Sequence, residues 1–241
     1  MADKIVKLGL DRFLAKEWVD YSLELYLSSD DDDQNYQLLR DYLQTVIPGK
    51  ESARKTGNQL KRLWLTTMEQ DDHLRKSAKE ILMHHQVADT TLFNLGMALN
   101  VFPIFKETCR RIGELSQLQI EVNKQTIVDR VVESFVNPTS IPRIVARVLQ
   151  TLVDWELILE NQGNIHIKNL EINEQPVSVW FIQALIFMDS RGEISLNDFS
   201  HLPEKMGVSL PDIRSHLHAA SNLSLRRGLT GEEIITIKNS S

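Results

Sequence analysis

The chain has 241 residues, of which 42% are hydrophobic and 25% charged, and its formal net charge is −6. This composition, with ten glycines and seven prolines, excludes collagen-like, low-complexity and wholly disordered proteins. The negative balance excludes a protein that coats nucleic acid or an anionic membrane by bulk attraction, because such binding requires an excess of lysine and arginine. Any contact with DNA must therefore be local.

No stretch approaches the roughly 18 consecutive apolar residues that a bilayer-spanning helix requires. Residues 1–4 also lack the apolar core of a signal peptide, so we expect a cytoplasmic protein without a membrane partner. Cys109 is the only cysteine, which excludes an internal disulfide and a multi-thiolate metal site. The apolar periodicity around it predicts a small buried side chain.

Residues 1–103 are predicted to form a helical region. Apolar residues recur at spacings of three and four over residues 8–27, 51–68 and 71–102. The four aspartates from Asp30 to Asp33 are interpreted as a solvated turn that could cap a helix beginning near Tyr36. They lack the ligand pattern of a calcium loop, and the histidines lack zinc-site spacing. We therefore predict neither a metal nor another cofactor.

One face of the helix predicted over residues 51–68 is basic. Its cations are Lys50, Arg54, Lys55, Lys61 and Arg62. We favour an ordinary solvated helix face, and keep contact with nucleic-acid phosphates as the alternative.

Residues 104–170 change character and are predicted to form a separate module. The predicted elements are a helix over 104–118, a short strand over 119–122, a helix over 125–135 capped by Asn123, a break at 137–140, a helix over 141–155 capped by Ser140, and strands over 157–159 and 165–167 around a glycine turn at 161–163.

The helix over 141–155 has two distinct faces when its residues are placed at 100° intervals. The apolar face is predicted to lie in the core and comprises Ile141, Val145, Val148, Leu149 and Leu152. The opposite face carries Arg143, Arg147, Gln150 and Asp154. A polar, partly basic face on such a helix is suited to contact a ligand or solvent.

The order helix, strand, helix, turn, helix, hairpin resembles a winged helix, and the segment PTSIPRIVARVLQTLVDWELILENQGNIHI carries the resemblance. The resemblance implies a recognition helix that enters the major groove of double-stranded DNA, with the hairpin along the neighbouring backbone or minor groove. Guanine edges or phosphates would then be contacted by Arg143 and Arg147, and adenine by Gln150. Phosphate contacts would come from Thr139, Ser140 and Lys168. The alternative is a winged helix that only docks proteins.

Residues 176–241 are predicted to repeat this order after a polar linker over 169–176. The predicted elements are a helix over 177–188, a short strand near Ile194, a helix over 196–206 bent by Pro203, a helix over 210–220 capped by Ser209, and a hairpin of strands near 223–225 and 234–237. Arg226 and Arg227 at the hairpin are either phosphate contacts or ordinary exposed arginines. This module could instead dock a partner protein or a second copy of the chain.

No motif for catalysis is present: the sequence has no glycine-rich phosphate loop, nucleophile elbow or paired zinc-ligand pattern. We predict a protein that is not an enzyme. A nuclease site assembled from scattered carboxylates is the remaining alternative.

The basic stretch over residues 53–62, followed by winged-helix-like elements that end at Trp155-Glu156-Leu157-Ile158, is similar to the BrxA family of bacterial phage-exclusion (BREX) systems. That similarity implies a DNA-associated accessory or regulatory protein of phage defence.

The sequence therefore predicts a mostly α protein with small β-hairpins, built from a helical region (1–103) and two winged-helix-like modules (104–170 and 176–241). The predicted function is non-catalytic binding of double-stranded DNA through the middle module, as a homodimer or with a partner protein. The alternative function is a protein-docking scaffold without affinity for nucleic acid.

Overall fold

A computed structural model describes residues 9–66, 72–118, 121–135, 138–188, 192–210 and 213–238. Helices dominate these residues, and the strands form three small sheets. The predicted fold class, mostly α with small β-hairpins, is confirmed. Within the described residues, no helix combines the length and the apolar character needed to cross a membrane.

The N-terminal region is helical, as predicted, but several helix bounds differ. Its helices are α1 (Lys16–Ser28), α2 (Asp32–Val46), α3 (Lys50–Leu60), a π-helical turn (Lys61–Leu65), α4 (Asp72–His84) and α5 (Thr91–Val101). The Asp31 carboxylate accepts a hydrogen bond from the Gln34 amide at 3.0 Å, so the aspartate run caps α2 earlier than Tyr36. The π-helical turn exposes carbonyls of Arg62 and Leu63, to which the buried Arg75 guanidinium donates at 2.8 and 2.9 Å.

The prediction that the first helix begins near residue 8 is wrong, since residues 9–15 are not helical and α1 begins at Lys16. We call residues 9–15 the N-terminal strap. Leu10 and Leu14 in the strap are buried, so their apolar character reflects tertiary packing and not a helical stripe. The end of the helix predicted over 51–68 lies outside the described residues.

The middle module has the predicted order of elements. They are α6 (Pro103–Leu118), β1 (Val122–Asn123), α7 (Lys124–Val132), a 3-10 turn (Pro138–Ser140), α8 (Ile141–Asp154), β2 (Ile158–Asn161) and β3 (Asn164–Ile167). The strands form an antiparallel sheet in the order β1-β3-β2. Gln162 and Gly163, at positive φ of 49° and 81°, form the two-residue turn that such a hairpin favours.

Two local predictions in this module differ from the structure. Helix α7 ends at Val132 and not at residue 135, although Asn123 caps it by accepting from the Gln125 amide at 2.9 Å. Ser140 makes no side-chain capping bond, because its backbone already has helical dihedral angles. Residues 119–120 and 136–137 of the predicted strand and break lie outside the described residues.

The C-terminal module repeats the sheet order of the middle module. Its elements are β4 (Leu170–Glu171), α9 (Gln175–Phe187), β5 (Glu193–Ser195), α10 (Leu196–Ser200), a 3-10 turn (Pro203–Lys205), β6 (Val208–Ser209), α11 (Ile213–Ala219), β7 (Leu223–Arg227) and β8 (Glu233–Ile237). The antiparallel order β5-β8-β7 matches β1-β3-β2. The two modules therefore share a topology without sharing obvious sequence identity.

Three predictions for this module are wrong in detail. The helix predicted over 196–206 ends at Ser200, ahead of Pro203 and a separate 3-10 turn. Ser209 lies in β6, which pairs in parallel with β4, so it does not cap a helix and the linker over 169–176 is partly a strand. Leu210 is not helical. The described part of α11 begins at Ile213, and residues 211–212 lie outside the described chain.

Helix α9 joins the C-terminal module to the N-terminal region. Trp180 packs on Phe93 of α5 with ring centroids 4.6 Å apart, and its indole nitrogen donates to the Leu74 carbonyl of α4 at 3.0 Å. Because α9 is buried along most of its length, the predicted regions share one continuous apolar core.

Candidate nucleic-acid interface

Helix α8 divides into the two predicted faces. All five residues of its predicted core face are fully buried. Arg143, Arg147 and Gln150 are exposed. Arg143 makes no hydrogen bond or ion pair within the part of the chain that the structure describes, while the Arg147 guanidinium donates to the Gln150 side-chain oxygen at 2.8 Å. The basic face therefore stays open to solvent.

The N-terminal strap holds the C-terminal end of α8 from one side. The Leu14 amide donates to the Thr151 hydroxyl at 3.0 Å, and the Trp155 indole donates to the Leu14 carbonyl at the same distance. The Lys16 amide donates to the Asp154 carboxylate at 2.6 Å. These bonds occupy the last turn of α8 and leave the turns that carry Arg143 and Arg147 accessible.

A shallow cleft lies between the last turns of α8 and strand β2. It has a volume of about 470 Å³ and is lined by Phe13, Arg147, Gln150, Val153, Asp154 and Glu160. Val153 is 36% exposed and Leu159, on β2, is 55% exposed. The basic face of α8 thus borders apolar surface as well as charge. Sequence alone could not indicate this, because the outward side of strand β2 is known only once its pairing is known.

The hairpin of the middle module carries nearly balanced charges. Lys168, a predicted phosphate contact, pairs with Glu156 at 2.9 Å, and a hydrogen bond from Lys168 lowers the pKa of that carboxyl. Lys124 likewise pairs with Glu160 at 2.8 Å. Glu156 therefore already compensates part of the Lys168 charge, which weakens any contact of Lys168 with phosphate.

The turn that precedes α8 presents two hydroxyl groups. Thr139 and Ser140 are both exposed, and the Ser140 hydroxyl is not used as a helix cap. They lie beside the N-terminal amides of α8, where an anion is favoured electrostatically.

The C-terminal hairpin places its two arginines differently. Arg226 pairs with Glu193 of β5 at 2.7 Å. Arg227 is exposed and makes no ion pair among the described residues. Leu229, at the tip of this hairpin, is fully exposed.

The basic stretch of the N-terminal region is largely occupied by partners within the chain. Glu51 holds Arg54 at 2.8 Å and Lys55 at 3.4 Å, and the bond from Arg54 lowers the pKa of Glu51 to about 2. Lys61 lies 4.5 Å from the centre of the Tyr36 ring. The part-buried Arg62 donates to the Gly9 carbonyl at 3.3 Å and stacks over Phe102, so it fastens the strap to the helices.

Cys109 is buried, as predicted, and burial raises its thiol pKa well above the ordinary value. Among the described residues, no group of three or more metal-binding side chains is arranged to hold an ion.

Comparison of the chain with models of protein families, with curated proteins and with solved structures gave no significant match.

Proposed function

We propose that this protein binds double-stranded DNA, without catalysing a reaction on it, through α8 and the hairpin that follows. The observation that carries the proposal is the open face of α8, where Arg143 lacks a partner among the described residues and Arg147 lies beside Gln150. A single α-helix fits the major groove, and α8 follows the helix–strand–helix order in which a winged helix presents its recognition helix.

In this proposal the exposed groups have distinct roles. Arg143 and Arg147 donate to guanine edges or phosphates, and Gln150 can read adenine once its bond to Arg147 opens. Thr139 and Ser140 hold a phosphate near the start of α8, and Lys168 and Arg226 exchange their carboxylate partners for phosphates. Arg227 adds a contact from the second module. Because these cations are few and the net charge is −6, affinity should be modest and sensitive to salt.

The test is a salt titration of duplex binding by fluorescence anisotropy, comparing the parent with R143A/R147A. We expect the double substitution to weaken binding by about tenfold to a hundredfold and to reduce the salt slope by about one to two. R54A/K55A removes the same charge from α3 and should bind like the parent, since Glu51 already holds both side chains. Equal losses in both variants, or no salt-dependent binding by the parent, would contradict the proposal.

Protein docking at the same face is the second candidate, and the apolar surface beside α8 favours it. Phe13 and Val153 line the cleft, and Leu159 lies exposed on β2. A second copy of this chain or a partner protein would bury them. Val153→Ser, which removes the apolar side chain without adding charge, should then abolish self-association in sedimentation velocity while leaving DNA affinity unchanged, whereas R143A/R147A should do the reverse if DNA is the ligand.

We place this DNA binding in bacterial phage defence, on the similarity of residues 53–62 and 155–158 to the BrxA family. Deletion of the gene from a phage-resistant host should raise plaque formation, and a gene carrying R143A/R147A should fail to restore resistance. If the double variant restores phage resistance, the defence role does not depend on the α8 face.

A further inference from the structure

A cavity of about 550 Å³ lies between the middle and the C-terminal modules. One wall comes from α6 and the end of β3, and the other from residues between 199 and 210 of the C-terminal module and from Ile213. The parallel pair β4–β6 and the close contact of Gly113 with Pro203 join the two modules beside it. Its size is within the range of small-molecule sites in proteins, roughly 300–1,000 Å³.

One charged residue, Lys205, lines this cavity among the residues that the structure describes. The Lys205 ammonium donates to the Ser200 carbonyl at 2.7 Å and lies 5.7 Å from the centre of the Phe199 ring. It pairs with no carboxylate in the described chain. Burial lowers the pKa of Lys205, as expected for an ammonium that lacks a compensating negative charge.

The neighbouring Glu204 does not supply that charge. Its side chain is 93% buried, as its relative exposure of 7% shows, but it is not among the residues that line the cavity. The cations that act on it are Arg110 and Lys106 of α6. Burial still raises the pKa of Glu204, so its carboxylate is poorly compensated on its own side.

Among the described residues, the rest of the cavity wall is uncharged and combines polar and apolar groups. Ile167, Leu202 and Ile213 supply apolar side chains from both modules. An ammonium that lines a cavity without a carboxylate partner is satisfied by an anionic oxygen ligand.

We infer that this inter-module cavity binds a small amphipathic carboxylate. The carboxylate accepts hydrogen bonds from Lys205, and a compact apolar body contacts Ile167, Leu202 and Ile213. Because both modules form the walls, the bound molecule stabilises the contact between the two modules. This site is independent of the α8 face, so its failure would leave the DNA proposal untouched.

The test uses 2-naphthoate as the probe, with the neutral 2-naphthamide as its isosteric control, in titration calorimetry of the full chain. We expect saturable one-to-one binding of naphthoate, with the amide bound at least about tenfold more weakly because it lacks the charge-assisted bond. No saturable binding up to the solubility limit of naphthoate, or equal affinity for the amide, overturns the inference. This comparison needs no variant, so it does not depend on the folding of any substituted protein.

Lys205→Met provides the second arm. This substitution keeps an apolar stem and should remove the preference for naphthoate over the amide. The control is Lys124→Met, which removes a lysine paired with Glu160 elsewhere on the middle module. That variant should retain the preference. In parallel, naphthoate should shift the methyl resonances of Ile167 and Ile213 and leave Ile127 of α7 unchanged. A preference that persists in Lys205→Met, or shifts that avoid Ile167 and Ile213, places the ligand elsewhere and overturns the assignment.

Discussion

At Gly113 on α6, a β-carbon would stand 2.1 Å from the carbonyl oxygen of Pro203. Gly113→Ala therefore requires the backbone of the C-terminal module to move, and should destabilise the protein by about 1–3 kcal/mol or more. Gly57→Ala is the matched control, since its β-carbon would meet only side chains, the nearest being that of Leu43 at 3.4 Å. That change, inside α3, should stabilise by about 0.5–1 kcal/mol. Urea denaturation measures both, and equal effects would refute the close approach.

Glu107 makes the free energy of unfolding depend on pH, through its contacts with Arg110, Arg111 and Ser134. Burial raises its pKa, but hydrogen bonds from Arg110 and Ser134 and the charge of Arg111 outweigh burial, so the net shift is downward. A carboxyl with a lowered folded pKa stabilises the protein above its unfolded pKa, and this contribution is lost as pH falls through the folded value.

We therefore expect Glu107→Gln to lower the free energy of unfolding at neutral pH, with the gap to the parent closing as the pH falls below the ordinary glutamate pKa of 4.5. Glu133→Gln, in an exposed pair with Arg130, should have little effect at either pH. Denaturant titrations at neutral and acid pH measure the difference. A gap that does not change with pH would show that Glu107 acts through packing alone.

For individual residues of the candidate site, exposure could be predicted from the sequence, but ion pairing could not. The exposure of Arg143, Arg147 and Gln150 follows from helical periodicity, which is a local property. The ion pairs of Lys168 with Glu156 and of Arg226 with Glu193 depend on strand pairing and side-chain conformers, so no spacing in the sequence could indicate them.

At the scale of elements, two helix starts provide a direct comparison of capping. Asn123 accepts a bond from the Gln125 amide at the start of α7, whereas Ser140 makes no such bond at the start of α8. Asn123→Ala should therefore cost about 1 kcal/mol of stability, and Ser140→Ala close to nothing. Thermal unfolding followed by circular dichroism measures both changes. A comparable loss in Ser140→Ala would mean that its hydroxyl caps α8 in solution.

Elements could be predicted where their signals are local. The hairpin turns and α8 follow from glycine placement and periodicity. The strap could not, because Leu10 and Leu14 fit a helical stripe. The bonds that hold the strap come from Arg62, Thr151 and Trp155, far along the chain. The pairing of β4 with β6 is similarly non-local, and the cavity beside it was not predictable for that reason.

At the scale of the whole molecule, the proposed division at 1–103, 104–170 and 176–241 stays a prediction, while the core is continuous across it. Each region contains one fully or almost fully buried tryptophan: Trp64, Trp155 and Trp180. Because α9 packs between the C-terminal module and α4 and α5, we expect the three regions to unfold together.

Three variants test cooperativity. Each retains one of these tryptophans, with the other two and Trp18 changed to phenylalanine. In each, the fluorescence midpoint in urea should coincide with the midpoint from far-UV circular dichroism of the same variant. A reporter whose fluorescence changes well before the helical signal would identify a region that unfolds separately.

The N-terminal strap has a consequence for synthesis in the cell. Its anchors, Thr151 and Trp155, are translated 137 and 141 positions after Leu14. During synthesis the strap must therefore wait, with Leu14 unanchored, until α8 has left the ribosome. Chaperones that shield apolar segments during translation would find this stretch available for most of that interval.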